Sequence, residues 1–146
     1  MGEPANIADV ARMVSKDIFR KFGWHMHPKC DDNFDCTNDS HKNVRGNEID
    51  QHPTDVVFSY QDPYLGRQIK LLTDLKSYGG KTITYQKLRS ALRSMALSIE
   101  CASQSEQWRE KFGVLPDESH EVRGFLFVHN HDGLFKKDFY DEIKKV

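Results

Sequence analysis

The 146-residue chain has the size of one compact domain, and a hydrophobic fraction of 38% is enough to bury a core, which excludes global disorder. The chain carries 21 Lys and Arg against 22 Asp and Glu, for a formal net charge of -1. This balance argues against sequence-wide affinity for nucleic acid but leaves room for a local basic groove. No run of about 18 apolar residues is present, so no membrane-spanning helix is expected.

The N-terminal residues 1–10 are neither basic nor strongly apolar, unlike a secretory signal peptide. The three cysteines, Cys30, Cys36 and Cys101, are odd in number, which predicts reduced thiols and a cytoplasmic protein. The chain ends abruptly in a helix-like stretch at residues 144–146. That end leaves open that this is the N-terminal domain of a longer protein.

Apolar residues at helical spacing predict a first helix from Asn6 to Phe22, with Gly23 as its stop. A short strand is predicted within residues 24–28. Residues 29–51 are polar, rich in Asp and Asn, and without periodicity, which predicts a long loop inserted into the domain.

Two β-rich segments separated by turn residues predict an antiparallel hairpin. The first strand is expected from Thr54 to Tyr60 and the second from Gln68 to Tyr78. Residues 62–66, Asp-Pro-Tyr-Leu-Gly, have the composition of a turn. On the second strand, the odd-numbered positions 69, 71, 73 and 75 are expected to form the buried face.

A helix opening at Thr82 or Thr84 is predicted after the hairpin, running to Ser103 and, after an interruption, to Phe112. Its predicted apolar face consists of Leu88, Leu92, Met95, Ala96 and Ile99. The nearly all-apolar segment 122–129 is predicted to be a central strand. Residues 135–146 are predicted to form a closing helix. The whole predicts a mixed α/β sandwich with a small sheet between helices.

Two acids and a lysine are predicted to gather at one edge of the sheet. Asp74 and Lys76 are two residues apart on a strand, so their side chains point to the same face. Asp55 opens the neighbouring strand directly after Pro53 and Thr54, and pairing of the hairpin would bring it beside Asp74. We therefore expect two carboxylates and one ammonium group in a single site.

This combination suits the hydrolysis of a phosphodiester. Two carboxylates can hold Mg²⁺, which prefers oxygen ligands, and the backbone carbonyl of Leu75 is a candidate additional ligand. The ion would polarise a phosphate oxygen and lower the pKa of a bound water. Lys76 would stabilise the charge of the transition state, or orient and help to deprotonate the nucleophile. The alternative is an ordinary strand ion pair between Asp74 and Lys76, with Asp55 capping a turn.

The segment Pro53-Thr54-Asp55, followed by Asp74-Leu75-Lys76, resembles the motif of the PD-(D/E)xK, or restriction-endonuclease-like, nuclease superfamily. The predicted element order over roughly residues 6–129 also resembles the core of that superfamily. The resemblance implies an α/β fold in one domain, residues 1–146, in which a small mixed sheet is flanked by helices in the order helix-strand-strand-strand-helix-strand plus a C-terminal helix.

The resemblance also implies a function: a metal-dependent endonuclease that hydrolyses DNA, with RNA not excluded. Asp55 and Asp74 would be ligands of Mg²⁺ or Mn²⁺, and Lys76 would be the catalytic lysine. Superfamily members are used as effectors of anti-phage defence and in DNA processing, and many act as dimers, so a homodimer or a partner subunit is expected.

Many members add an acidic residue from the first helix. Glu3, just before that helix, is our candidate for this catalytic position, and Asp9 and Asp17 are alternatives. None of the three has a diagnostic spacing. Basic residues after the lysine strand are candidates for phosphate contacts, although a solvated helix face is the usual role of such residues. They are Lys81, Lys87, Arg89 and Arg93.

His and Cys residues near the polar loop raise the hypothesis of a structural Zn²⁺ site. The candidate ligands are His25, His27, Cys30, Cys36 and His41. We favour polar loop residues with incidental thiols over this site, because Cys30 and Cys36 lack the tight spacing of a zinc knuckle. Cys101 is expected to be simply buried.

Two competing functions remain open at this point. One is a nuclease fold without catalysis that binds nucleic acid or mediates assembly, which the near-neutral charge and the unassigned fourth acid permit. The other is a zinc-stabilised interaction domain built on His25, His27, Cys30 and Cys36.

Overall fold

The computed structural model describes residues 7–115 and 118–146, in which helices flank a four-stranded sheet. In chain order, its elements are helix α1 (Ile7–Asp17), a 3₁₀ helix (Phe19–Phe22), strands β1 (His25–Met26), β2 (Phe34–Asp35), β3 (Gln51–His52), β4 (Val56–Asp62) and β5 (Arg67–Tyr78), helices α2 (Tyr85–Ala102) and α3 (Glu106–Lys111), strand β6 (His120–Asn130) and helix α4 (Phe139–Ile143). The predicted mixed α/β class is confirmed.

The four-stranded sheet has the order β1-β4-β5-β6, with antiparallel pairs except for the parallel pair of β5 and β6. The predicted hairpin is confirmed, since Val56 pairs with Thr73 and the register continues to the turn. That turn is held by Asp62, whose Oδ1 accepts hydrogen bonds from the backbone N–H groups of Tyr64 and Leu65.

The prediction of a central position for the last strand is wrong: β6 is at the edge of the sheet. It is apolar because both of its faces are covered. On one face Gly124 lies directly against Met95 of α2, leaving no room for a Cβ atom. On the other face, Phe125 and Phe127 pack against the core that contains Phe19. A strand can be covered on both faces by other parts of the protein without pairing with a strand on each side. Apolar composition indicates only that the faces are covered.

Two hydrophobic cores lie on opposite faces of the sheet. The core on the α1 face is formed by Phe19, Val56, Phe58, Ile69, Leu71 and Leu75. The core on the α2 face is formed by Phe34, Val57, Leu72, Cys101, Ala102, Trp108, Phe112, Val114 and Val122. The odd positions of β5 are buried as predicted, and Lys70 and Leu72 on its other face are buried as well, because helices and a loop cover that face too.

The helix ends follow local sequence signals. Gly23 adopts a left-handed conformation with φ of 75° and stops the N-terminal helical segment as predicted, although α1 itself ends at Asp17 and a 3₁₀ turn replaces its last part. Thr84 caps α2 by accepting a hydrogen bond from the N–H of Lys87.

The predicted apolar face of α2 is only partly right. Leu88 and Met95 are buried, but Ala96 is exposed. The buried stripe continues instead through Ser98 and Cys101, because the polar loop packs against that side.

The predicted long C-terminal helix is also wrong, since helix appears only at Phe139–Ile143. The preceding residues are held in a non-helical conformation by contacts with the end of β5. The backbone of Leu134 and Phe135 lies so close to Gly80 that a Cβ at that glycine would overlap it, and the N–H of Phe135 donates to Asn130.

The polar insertion is ordered by contacts with the α2 face. Its strands β2 and β3 pair with each other, and Phe34 is completely buried in the core of that face. Lys111 of α3 donates to Asp32 at 2.8 Å and to the carbonyl of Asn33 at 2.7 Å. Of the helices described, none combines the length and apolarity needed to cross a membrane.

Candidate active site

Asp55 and Asp74 meet where β4 begins. Asp55 directly precedes β4, and the pairing of Val56 with Thr73 places it opposite Asp74 of β5. One carboxylate oxygen of Asp55, Oδ2, accepts a hydrogen bond from the N–H of Leu75 at 2.8 Å. This bond fixes the Asp55 side chain across the end of the hairpin.

Lys76 joins the two acids from the same face of β5. Its Nζ lies 3.1 Å from Oδ1 of Asp74, whose side chain is 14% exposed, while that of Lys76 is 35% exposed. The three residues predicted from the sequence are therefore brought together, with the lysine on the solvent side.

The acids face a narrow cleft under helix α2. Besides Asp55 and Asp74, it is lined by Pro53, Leu72, Ser94, Met95 and Ser98. The small residues Ser94 and Ser98 let the helix approach the sheet closely here, so the acids are partly withdrawn from water.

The charges in this cleft perturb one another. Burial raises the pKa of Asp55, and the neighbouring Asp74 raises it further, against the stabilising hydrogen bond from Leu75. Burial acts to lower the pKa of Lys76, but the carboxylates of Asp74 and Asp55 outweigh it, so the pKa of the ammonium lies above its ordinary value. Two acids held together at this cost are typical of functional sites.

One family of known proteins matches the chain. A family model described as the GAPS4 protein PD-(D/E)XK nuclease domain matches residues 1–146. The chain belongs to this family. The predicted superfamily and the restriction-endonuclease-like fold are thereby confirmed. No curated protein and no solved structure matches the chain significantly.

The backbone of Leu75 is oriented towards the acids of this nuclease domain. Its N–H donates to Asp55, so it points to the β4 side of β5. A residue in an extended strand directs its N–H and its C=O to the same side, so the carbonyl of Leu75 also faces the β4 side.

The fourth acidic position stays without a structural assignment in the nuclease domain. Glu3 lies outside the described residues. Of the two alternatives on α1, Asp9 is exposed and paired with Arg12 at 3.0 Å, and Asp17 is exposed.

The four basic residues predicted to contact phosphates are all exposed, but they do not form one surface. On an α-helix, residues seven apart share a face and residues two apart point about 200° away from each other. Lys87 therefore shares a face with Ser94 of the acid cleft, whereas Arg89 points away from it. Arg93 donates to the carbonyl of Lys42 in the polar loop at 3.4 Å. The remaining residue, Lys81, lies in the turn after β5.

A glycine turn fixes the end of the strand that carries Lys76. Asp132 accepts hydrogen bonds from the N–H of Gly80 and from the N–H of Leu134, both at 3.0 Å. The same contacts, led by that from Leu134, lower the pKa of Asp132. Asp132 therefore has a structural role in holding β5 against the segment that follows β6.

The zinc ligands proposed from the sequence are not brought together. His25 is exposed, His27 packs against Phe112, and Cys30 packs against the α1-face core. Cys36 and His41 do meet, but their neighbours are the two residues that sequence reasoning missed, His52 and Cys101. Cys101 was expected to be simply buried, and no sequence spacing connects it to Cys36.

Proposed function

We propose that this nuclease domain is an endonuclease that hydrolyses DNA phosphodiester bonds and depends on Mg²⁺ or Mn²⁺. The observation that carries the proposal is the convergence of Asp55, Asp74 and Lys76 in one cleft at the end of a β-hairpin. Membership in a nuclease family gives the same chemistry an independent basis.

The cleft fits a hard divalent cation. Asp55 and Asp74 supply oxygen ligands, and the carbonyl of Leu75 faces the same side of β5. Burial and the neighbouring Asp74 raise the pKa of Asp55, and a cation bound beside it would offset both effects. When bound, the ion would supply Lewis-acid polarisation of the scissile phosphate.

Lys76 is suited to stabilising negative charge. Its Nζ is tethered to Asp74 at 3.1 Å and remains partly exposed, so it can reach a substrate at the mouth of the cleft. The carboxylates raise its pKa, which keeps the ammonium protonated. We therefore assign Lys76 to stabilising the transition-state charge rather than to accepting a proton from the nucleophile.

The substrate and its context rest on the wider use of this superfamily and on the surface beside the cleft. We propose that Lys87, which shares a face of α2 with Ser94, contacts a phosphate of DNA lying over that helix. Since cutting a duplex requires two active sites, we propose that the domain acts as a homodimer or with a partner subunit, as an anti-phage defence effector or in DNA processing.

The test is cleavage of plasmid DNA by the 146-residue chain in Mg²⁺ or Mn²⁺. We expect Lys76→Ala and Asp74→Asn each to slow cleavage roughly 100-fold or more, because the first removes a positive charge that stabilises the transition state and the second removes a ligand of the metal ion. The matched control is the exposed pair of Asp141 and Lys144 on α4, 4.0 Å apart, changed to Asn and Ala.

The outcomes separate the competing functions. Calorimetric titration with Mn²⁺ should show binding to the wild type that Asp74→Asn removes. Binding of DNA without cleavage, and without Mn²⁺ binding that depends on Asp74, would replace the enzyme by a non-catalytic nucleic-acid-binding module. Cleavage that survives Lys76→Ala would refute the assigned site.

A further inference from the structure

A second cluster of metal-binding side chains lies on the α2 face, separate from the three charged residues of the acid cleft. Cys36 and His41 come from the polar insertion, His52 is the last residue of β3 directly after it, and Cys101 comes from the last turn of α2. One ligand atom from each of them lies within 4.8 Å of all the others. His41, His52 and Cys101 are 3%, 2% and 2% exposed, so the cluster is almost sealed from water.

Four of the six separations between the ligand atoms match a tetrahedron around one ion, and the other two, from His52 to the two sulfurs, are within 4.8 Å. With Zn–S near ~2.3 Å and Zn–N near ~2.05 Å, a tetrahedral site requires S–S, S–N and N–N separations of about 3.8, 3.6 and 3.3 Å. The Sγ atoms of Cys36 and Cys101 are 3.7 Å apart. Nδ1 of His41 lies 3.5 and 3.4 Å from these two sulfurs and 3.4 Å from Nε2 of His52.

Neighbouring polar groups lie beside both imidazole rings. Oγ of Ser98 donates to the carbonyl of Ser94 at 2.9 Å, so it can accept a hydrogen bond from Nδ1–H of His52 at 3.4 Å. That tautomer leaves Nε2 of His52 unprotonated and facing the cluster. Such outer partners of ligating histidines are a regular feature of zinc sites.

A carboxylate also lies beside the ring of His41. Its Nε2 lies 3.2 Å from Glu100, which in turn accepts a hydrogen bond from Asn38 at 3.2 Å. Nδ1 of His41 is therefore the nitrogen left to face the two sulfurs. A carboxylate in this position is the partner that a ligating histidine has in a carboxylate–histidine–zinc triad, and the buried Nε2 of His41 makes no hydrogen bond with the described residues that would compete with it.

We propose that Cys36, His41, His52 and Cys101 bind one structural Zn²⁺ ion through Sγ, Nδ1, Nε2 and Sγ. Two thiols and two imidazoles are a ligand set that selects zinc, and four protein ligands close the coordination shell, as in structural rather than catalytic sites. Binding releases the two thiol protons. The resulting complex of Zn²⁺, two thiolates and two neutral imidazoles has no net charge, which suits its burial.

The ion would connect the polar insertion to the helix that covers the acid cleft. The short strands β2 and β3 form a separate two-stranded sheet, and a sheet of this size has little stability by itself. His52 is followed three residues later by Asp55, and Ser98, which contacts His52, also lines the acid cleft. Zinc binding therefore helps to fix the position of Asp55, which lies three residues after one of the ligands.

Metal analysis of the full chain, expressed with its thiols kept reduced, tests the proposal. We expect about one zinc per chain in the wild type, and at least a tenfold loss in Cys36→Ser and Cys101→Ser. Cys30→Ser is the matched control, because Cys30 lies outside the cluster against the other core, and it should retain the metal.

A second measurement uses the wild type alone and does not depend on a variant that folds. Co²⁺ added to chelator-treated protein should give the visible absorption of a tetrahedral cobalt–thiolate site, and Zn²⁺ should displace it. The proposal is overturned by wild-type protein that holds neither zinc nor tetrahedral cobalt. It is equally overturned by a mass showing that Cys36 and Cys101 form a disulfide in the freshly purified protein.

Discussion

The acid cleft and the Cys/His cluster lie on the same face of one sheet and share helix α2, yet they differ in the type of ligand and in exposure to solvent. The cleft offers carboxylates at partial exposure, beside a lysine that faces solvent. The cluster offers sulfur and nitrogen ligands, of which His41, His52 and Cys101 are buried and Cys36 is half-buried. The acid cleft is open to solvent beside Lys76, whereas the cluster is largely closed to it. Ligand type and access together distinguish a site for chemistry from a site for stability.

The largest expected difference between the two regions is in thermal stability. Removing zinc with a chelator that spares Mg²⁺ should lower Tm by about 10 °C or more, because the binding free energy of a structural ion is folding free energy. Omitting Mg²⁺ should change Tm by no more than about 3 °C, since a weakly held ion stabilises only by mass action. Differential scanning calorimetry with and without each ion measures both effects. Equal shifts would remove the distinction between the sites.

An effect of intermediate size, on DNA affinity, is expected from a substitution on the surface beside the cleft. Lys87→Ala should weaken DNA binding severalfold and reduce the slope of log affinity against log salt by about 0.9, the share of one lost phosphate contact. Arg89→Ala serves as the control, because Arg89 points away from the cleft face. Fluorescence anisotropy over a range of salt concentrations measures the slope. Equal losses in the two variants would mean that DNA does not lie along the Lys87 face.

The smallest expected effect is a gain in stability at the acid cleft. Burial and Asp74 raise the pKa of Asp55 in the folded protein, so its ionised form destabilises the fold at pH values above that pKa. Asp55→Asn should therefore raise Tm by a few degrees at pH 7 in the absence of Mg²⁺ while abolishing cleavage.

The pH dependence of this gain provides its check. As the pH falls towards the ordinary carboxyl range, the wild-type Asp55 becomes protonated in the folded state and its penalty disappears. The advantage of Asp55→Asn should shrink accordingly in thermal melts at decreasing pH. An advantage that persists unchanged at low pH would contradict the electrostatic origin, and Asp141→Asn, on an exposed carboxylate, should show no such trend.

The sequence predicted the structure well where local periodicity determines it. The alternation of side chains along a strand is enough to place Asp74 and Lys76 on one face, and the hairpin turn at residues 62–66 sets the register that brings Asp55 beside them. The prediction of β6 as a central strand failed because apolar composition cannot distinguish an edge strand covered on both faces from a central one.

The Cys/His cluster shows more clearly what cannot be predicted from the sequence. Its members are spread from residue 36 to residue 101, and their proximity depends on how the polar insertion folds back onto α2. The grouping of His25, His27, Cys30 and Cys36 by sequence distance was therefore wrong in three of its four members.

By itself, then, the sequence determined the nuclease motif, the hairpin that carries it and the superfamily, because short-range alternation and turn geometry act between residues that are close along the chain. Only the tertiary structure decided which side of α2 is buried, which basic residues face the cleft and which thiols and imidazoles meet. Those properties arise from packing between distant segments, and packing free energy depends on the whole arrangement rather than on any local pattern.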